Sequence, residues 1–246
     1  PGDDSSLIWD ENLSFAQMPQ VTNPESGFVL SANQTPFNVT ASSENPVESS
    51  YEPEHGFQMD MTNRAHRGLE LFAQFGPTIS AAEFSAIKHD KFYSPATYYV
   101  AYLEKIRAQQ FADSLLQQAQ QVIAQWDLGT DVANPSAALG TCVLLAAERQ
   151  EDRDTHDAEQ VAELLGECAE TLLAAKGRLD PPWGEVNRHV RGEVNVPVGG
   201  GPDILRAIYG RGLKEEGFLT NVAGDGLYYL VAWDANGQLS VEGVHQ

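Results

Sequence analysis

The sequence predicts an α+β fold, with strand-like segments at both ends and helices between them. Residues 1–62 are rich in Asn, Pro, Ser and Gly and hold only short apolar runs. From about Thr62 the apolar residues recur at helical spacing. The segment "GLYYLVAWDANGQLSVEGV" near the end predicts a β-hairpin whose tight turn contains Asn236 and Gly237. We therefore expect a core segment at 1–61, a helical insertion at 62–182 and a return to the core at 183–246.

Start and stop signals delimit the helices. Thr62 is the expected N-cap of a helix that ends at Gly76 and Pro77. Ser80 and Glu83 form a capping box, in which each side chain satisfies a free backbone donor near the other residue. Further helices are expected at 95–106, 111–126, 136–149 and 158–176.

The helix at 158–176, ended by Gly177, carries apolar residues every three or four positions between Val161 and Leu173. This spacing predicts one buried stripe, which we interpret as core and not as a cofactor or partner face. The same interpretation applies to the aromatic residues at helical positions, which are Phe72, Phe75, Tyr98, Tyr99 and Tyr102.

Composition limits the classes of partner. The chain has 246 residues, 42% of them hydrophobic, which is enough for a sizeable core. It carries 15 Lys and Arg against 35 Asp and Glu, a formal net charge of −20. Such a charge repels phosphate backbones and anionic lipids, so we expect neither nucleic acid nor a membrane as a partner. We interpret the acidity as a contribution to solubility.

A glycine-rich segment, "VGGGPD", has no following Gly-Lys-Ser/Thr and lacks dinucleotide-binding spacing. We therefore expect a tight turn and not a phosphate site, with Pro202 at the first position of a helix and Asp203 favouring its N-terminus.

Metal chemistry also has little support. No HExxH or other close ligand pair occurs among the histidines, which are His55, His66, His89, His156, His189 and His245. Asp152, Asp154 and Asp157 resemble part of a calcium loop but lack its glycine and final glutamate, which favours a solvated charge run. Cys142 and Cys168 fall in separate predicted helices, and the sequence leaves open whether they pair.

The stretch "NPESGFVLSANQTPF" at 23–37 holds an apolar run at 28–32 that predicts a buried strand, followed by Asn33. A carboxamide at a strand end, its carbonyl held by neighbours, is a fixed neutral donor where an oxyanion develops. The competing interpretation is that Asn and Thr before Pro are ordinary turn residues.

That stretch resembles the corresponding segment of the penicillin acylase family, in the N-terminal-nucleophile hydrolase superfamily. "VNRHVRGEVNVPVGGGPDILRAIYG" is similar to a segment of the branch that contains acyl-homoserine-lactone and aculeacin acylases. "GDGLYYLVAWDANGQLSVEGVHQ" is similar to a strand pair of the same branch. The resemblance covers about 1–75 and 183–246, and the middle matches only as helices of the type those enzymes insert.

The resemblance implies the sandwich core of an N-terminal-nucleophile hydrolase with a largely helical insertion. Asn33 matches the oxyanion-hole asparagine at the end of its strand, and Arg64 matches an arginine that supports the active site. The family's nucleophile is a serine at the start of a self-cleaved β-chain, whereas this sequence begins at Pro1. We interpret both ends as cuts within a larger protein, so the chain is expected to be an internal β-subunit fragment, inactive alone. Its expected partners are the α-chain and the remaining β-chain segments.

The resemblance also implies hydrolysis of the amide bond of a small acylated substrate, of the acyl-homoserine lactone, penicillin or lipopeptide type, with a leaning towards long acyl chains. It implies no cofactor. It also implies a structural calcium ion in the full enzyme, with a family calcium ligand expected near Glu44. The setting implied is periplasmic or secreted. The alternative is a non-catalytic helical interaction module, favoured by the amount of helix and the missing nucleophile.

Overall fold

The structure is a computed structural model that describes residues 3–7, 12–75, 78–150 and 153–245. It confirms the α+β class. The helices are α1 (Asn63–Gln74), α2 (Ala81–Lys88), α3 (Tyr98–Ala108), α4 (Ser114–Gln125), α5 (Ala137–Glu148), α6 (Ala158–Lys176), α7 (Trp183–Val186) and α8 (Leu213–Glu216). The strands are β1 (Asn187–Arg191), β2 (Val194–Pro197), β3 (Ile208–Arg211), β4 (Leu219–Gly224), β5 (Leu227–Trp233) and β6 (Leu239–His245). None of the helices in these ranges is long and apolar enough to span a bilayer.

The main core lies among helices α3 to α6. Helix α5 is apolar on nearly all sides, and eight of its twelve residues are buried, as expected of a helix enclosed by others. The predicted stripe of α6 is confirmed, since Val161, Leu165 and Leu172 are almost fully buried. Cys142 of α5 and Cys168 of α6 form a disulfide, which resolves the question that the sequence left open.

Local signals explain most helix ends. Thr62 Oγ1 accepts a hydrogen bond from Ala65 N at 3.1 Å, and the capping box of Ser80 and Glu83 is present. Helix α6 has the predicted bounds and ends at Gly177, whose φ of 70° is left-handed. Helices α3 and α4 begin three residues later than predicted. The predicted stop at positions 76–77 lies outside the described residues.

The strands form two sheets. The larger has the order β2-β1-β4-β3, with β1 and β4 parallel and the other two pairs antiparallel. The smaller is the antiparallel pair β5 and β6, with Leu227 opposite His245 and Trp233 opposite Leu239. The predicted hairpin is therefore confirmed, and Gly237 adopts a φ of 77° in its turn.

The predicted strand at 28–32 is wrong, because this segment joins no sheet in the described structure. Leu30 N donates to Val39 O at 2.7 Å, but no strand ladder continues from that bond. The side chain of Gln34 occupies backbone groups that a neighbouring strand would have paired. Its Oε1 accepts from Ala32 N, and its Nε2 donates to Leu30 O at 2.9 Å. A local side chain thus replaces the sheet partner.

The predicted helix start at Pro202 is also wrong. Residues 202–206 form turns and bends, and Asp203 has a φ of 51°, which an α-helix cannot contain. The carboxylate of Asp203 does cap a helix, but that helix is α1, where Asn63 N donates to Asp203 Oδ2 at 2.6 Å. Because 140 residues separate the two groups, no local pattern predicts this cap.

Candidate active site

Asn33 is exposed and lies in a turn with a φ of 58°, a left-handed conformation that Asn tolerates better than most residues. The segment leading into α1 holds this turn in place. Gln58 Nε2 donates to Asn33 O at 3.2 Å, and Thr62 Oγ1 donates to Ala32 O at 2.8 Å. Thr35 N completes the attachment by donating to Asp60 O at 2.9 Å. The backbone of Asn33 is therefore fixed from two sides.

Arg64 determines how the Asn33 side chain is oriented. Arg64 Nη2 donates to Asn33 Oδ1 at 3.1 Å. A guanidinium can only donate, so the amide must turn its oxygen towards Arg64 and its Nδ2 away. Within the described residues that Nδ2 has no acceptor, which leaves both of its hydrogens available to a ligand. The carboxamide is thus a neutral donor whose carbonyl is already engaged.

Asp203 in turn holds Arg64. Arg64 Nε donates to Asp203 Oδ1 at 3.0 Å, and the two side chains are only 24% and 16% exposed. Asn63, which is 1% exposed, ties its side-chain Nδ2 to Asp203 O at 2.6 Å and accepts from Ser94 N at 2.7 Å. The donor at Asn33 is consequently supported by a buried polar network and not by a single surface contact.

The glycine-rich segment brings Asp203 to this position. Tyr93 Oη donates to Pro202 O at 2.9 Å, and Asp203 N donates to Tyr209 Oη at 3.1 Å. Gly200 has a φ of 97°, and a Cβ there would lie 2.3 Å from Arg206 O. Only glycine fits such a close approach of backbone to backbone. The glycines therefore let the turn fold tightly, with no role in phosphate binding required.

An apolar cleft of about 480 Å³ is lined in part by residues that flank Gln58 in the sequence. Phe57 and Met59, the neighbours of Gln58, line it together with Phe37 and Tyr51. Of the five aromatic residues that the sequence predicted to be core and not pocket lining, Phe72 and Phe75 are placed differently. Phe72 stacks on Phe28 at 4.6 Å between ring centroids and lines a separate cleft together with Phe75, whereas Tyr99 and Tyr102 lie in the core as predicted.

Glu44 closes a loop in this structure. Its carboxylate accepts hydrogen bonds from Ser26 N at 2.9 Å and from Glu25 N. The Ser26 backbone bond is the main reason why the pKa of Glu44 lies below its ordinary value.

Among the residues that the structure describes, no group of three or more His, Cys, Asp or Glu is arranged to hold a metal ion. Of the acidic run, Asp157 caps α6, and position 152 lies outside the described residues.

The structure thus brings together the two site residues that the sequence predicted, Asn33 and Arg64. Sequence reasoning missed Asp203, Asn63 and Gln58. Of these three residues, only Asp203 was indicated by the sequence, because it belongs to the segment "VNRHVRGEVNVPVGGGPDILRAIYG" that resembles the family. A preorganised N–H donor is typical of hydrolases whose reaction passes through a tetrahedral oxyanion.

Comparison with known families agrees with that class. The penicillin amidase family profile matches residues 1–241, so the chain belongs to the penicillin amidase family, whose members are hydrolases of amide bonds. The matched range includes the helical middle, where the motif resemblance was limited to helices of the type that those enzymes insert. A search of curated proteins found no match.

Proposed function

We propose that this chain is an internal part of the β-subunit of an acylase, and that Asn33 Nδ2 donates a hydrogen bond to the reaction's oxyanion. The substrate class is an acylated small molecule with an amide bond, of the acyl-homoserine lactone, penicillin or lipopeptide type. The observation that carries the proposal is the hydrogen bond from Arg64 Nη2 to Asn33 Oδ1, because it leaves the amide nitrogen as the group that faces a ligand.

The nucleophile in this proposal is an N-terminal serine that the given sequence does not supply. Its hydroxyl oxygen attacks the amide carbonyl carbon, and its own α-amine takes the proton. The carbonyl electron pair moves onto oxygen, where Asn33 Nδ2 stabilises the negative charge. Collapse of this intermediate expels the protonated amine and leaves an acyl-enzyme, which water hydrolyses to the free acid. Arg64 and Asp203 act as positioning residues, since they fix the donor before the charge develops.

Two further parts of the proposal concern setting and assembly. The disulfide between Cys142 and Cys168 supports a periplasmic or secreted location, because disulfides persist in oxidising compartments. The α-chain and the remaining β-chain segments complete the site. A structural calcium ion in the full enzyme remains part of the proposal by resemblance alone.

The test replaces Asn33 in the complete enzyme, with turnover of acyl-homoserine lactones and phenylacetyl amides as the readout. Asn33→Gly removes the donor and still fits the φ of 58°, whereas alanine adds a strain of roughly 1–2 kcal/mol. We expect kcat to fall about a hundred- to a thousand-fold with little change in Tm. Asn23→Gly is the matched control, because Asn23 is also exposed and left-handed, with a φ of 49°. Near-normal turnover by Asn33→Gly would remove this residue from the mechanism.

The upstream gene sequence distinguishes the acylase from the alternative, a non-catalytic helical interaction module. An acylase requires a serine codon upstream of this segment, at the start of the same β-chain, followed by codons for an apolar strand. Absence of that codon, together with no hydrolysis after co-expression of the flanking segments, would favour the module.

A further inference from the structure

We propose that a groove between α5 and the four-stranded sheet binds a small organic anion that combines an apolar body with a carboxylate. This α5 groove has a volume of about 430 Å³, within the range of small-molecule sites. Its lining includes Leu145, Arg149, Trp183, Ile208, Arg211 and Leu219. The inference rests on the groove alone and not on the proposed function.

The floor of the α5 groove is apolar and firmly held. Trp183 is 1% exposed, and its indole Nε1 donates to Gly200 O at 2.8 Å, which fixes the ring. Val186 and Ile208 beside it are also buried. Such a surface offers an apolar ligand dispersion contacts and few competing polar groups. The walls therefore favour a hydrocarbon or aryl body over a sugar or nucleotide.

The rim of the α5 groove is cationic in a chain whose net charge is −20. Of the 15 Lys and Arg, all within the described ranges, only Arg149, Arg211 and Lys214 lack a side-chain hydrogen bond or ion pair. Arg149 and Arg211 line the groove, and Lys214 directly follows Leu213, which lines it as well. The cations without partners are thus gathered at one place, which points to an anion as their missing counterpart.

Thr141 adds a buried hydroxyl to the lining of the α5 groove, since this residue is only 2% exposed. That hydroxyl already has a partner, because it interacts with the neighbouring Tyr93, whose own hydroxyl donates to Pro202 O at 2.9 Å. The preference of the groove for an anion therefore comes from the arginines at its rim and not from this hydroxyl.

A carboxylate suits these groups better than a compact inorganic anion does. Arginine presents a planar fork that pairs with a carboxylate through two parallel hydrogen bonds. An apolar body attached to that carboxylate fills the groove that a free phosphate or sulfate would leave empty. If the proposed function holds, the acid released by amide hydrolysis belongs to this class of ligand.

The test measures octanoate binding to the complete protein by isothermal titration calorimetry. We expect saturable binding that weakens about tenfold or more in the double variant Arg149→Gln with Arg211→Gln. Arg178→Gln is the matched control, because Arg178 is exposed, pairs with Asp180 and does not line the groove. 1-Octanol, which has the same chain length without the charge, is expected to bind more weakly than octanoate.

Three outcomes would overturn the assignment. These are no saturable binding of octanoate, equal affinity of the double variant and the unaltered protein, and equal affinity for octanoate and 1-octanol. The Asn33→Gly variant separates this inference from the proposed function, because it removes the oxyanion donor and leaves the α5 groove intact. Retained octanoate binding in that variant supports the groove whether or not Asn33 is catalytic.

Discussion

Arg64 joins Asn33 to Asp203, with Nη2 3.1 Å from Asn33 Oδ1 and Nε 3.0 Å from Asp203 Oδ1. One guanidinium therefore links two segments that lie at opposite ends of the sequence. Asp203 is the anchor of this arrangement, since its second carboxylate oxygen also caps α1 through Asn63 N. The orientation of the Asn33 amide and the stability of α1 thus depend on the same carboxylate.

Asp203→Asn should lower the free energy of unfolding by about 1–3 kcal/mol, because it weakens a charge-assisted network that is largely buried. Asparagine keeps the shape and tolerates the φ of 51°, so backbone strain does not confuse the result. Urea unfolding measures the change. Asp180→Asn breaks the exposed pair with Arg178 and should change stability by less than about 1 kcal/mol. Equal effects of the two substitutions would contradict the anchor role of Asp203.

Gly140→Ala should destabilise the protein by about 1–3 kcal/mol, although alanine favours a helix. A Cβ at position 140 would lie 2.2 Å from the ring of Trp126, which a hydrogen bond from its Nε1 to Gly129 O holds in place. Gly166→Ala in α6 is the control, because its Cβ would meet only Leu116 Cδ2 at 3.6 Å. We expect that control to raise stability by about 0.5–1 kcal/mol. Thermal unfolding of both variants tests whether their effects have opposite signs.

Loss of the disulfide between Cys142 and Cys168 should lower the free energy of unfolding by about 3 kcal/mol, since it closes a loop across 26 positions. The double variant Cys142→Ala with Cys168→Ala tests this by urea unfolding. Dithiothreitol should produce a similar loss in the unaltered protein and none in the double variant. A reductant effect of equal size in both proteins would show that the disulfide is not its cause.

Raising the pH from 10 to 12 should destabilise the fold. Burial raises the pKa of Tyr98 and of Tyr102 to about 12, above the ordinary value of 10.0. The folded state holds these protons more tightly than the unfolded state, so the stabilisation is complete below pH 10.0 and is lost as the pH rises towards 12.

Circular dichroism and phenolate absorbance, followed together, test the alkaline transition. Tyr98→Phe should move unfolding to higher pH, because it removes a titrating group and keeps the ring on which Arg153 stacks at 4.2 Å. Tyr229→Phe is the control, since Tyr229 is 59% exposed, and should leave the unfolding pH unchanged. A transition unaltered by Tyr98→Phe would contradict the assignment.

Much of the helical part could be predicted because its signals are local. Thr62, Ser80 and Gly177 each act within a few residues of the helix end that they define. The hairpin was predictable for the same reason, since Asn236 and Gly237 favour its turn whatever surrounds them. These elements depend on backbone preferences that a short window of sequence already contains.

Two predictions of secondary structure were wrong because a side-chain hydrogen bond determines the local backbone, and hydrophobic periodicity does not reveal such a bond. At 28–32 the apolar run suggested a strand, but Gln34 satisfies the backbone groups instead. At Asp203 the local pattern suggested a helix start, and the carboxylate caps α1 across 140 residues. For the candidate site, the residue types at 33 and 64 were predictable by resemblance, whereas the carboxylate that supports them was not.

The hairpin of β5 and β6 has a practical consequence. Its two strands pair only with each other in the described structure, and Tyr229, Trp233 and Val241 are each more than half exposed. A two-stranded ribbon with free backbone edges and apolar side chains is a template for further strands, including those of a second copy. Concentrated solutions of the purified chain should therefore self-associate through this ribbon, and dilute samples with light-scattering checks suit biophysical work.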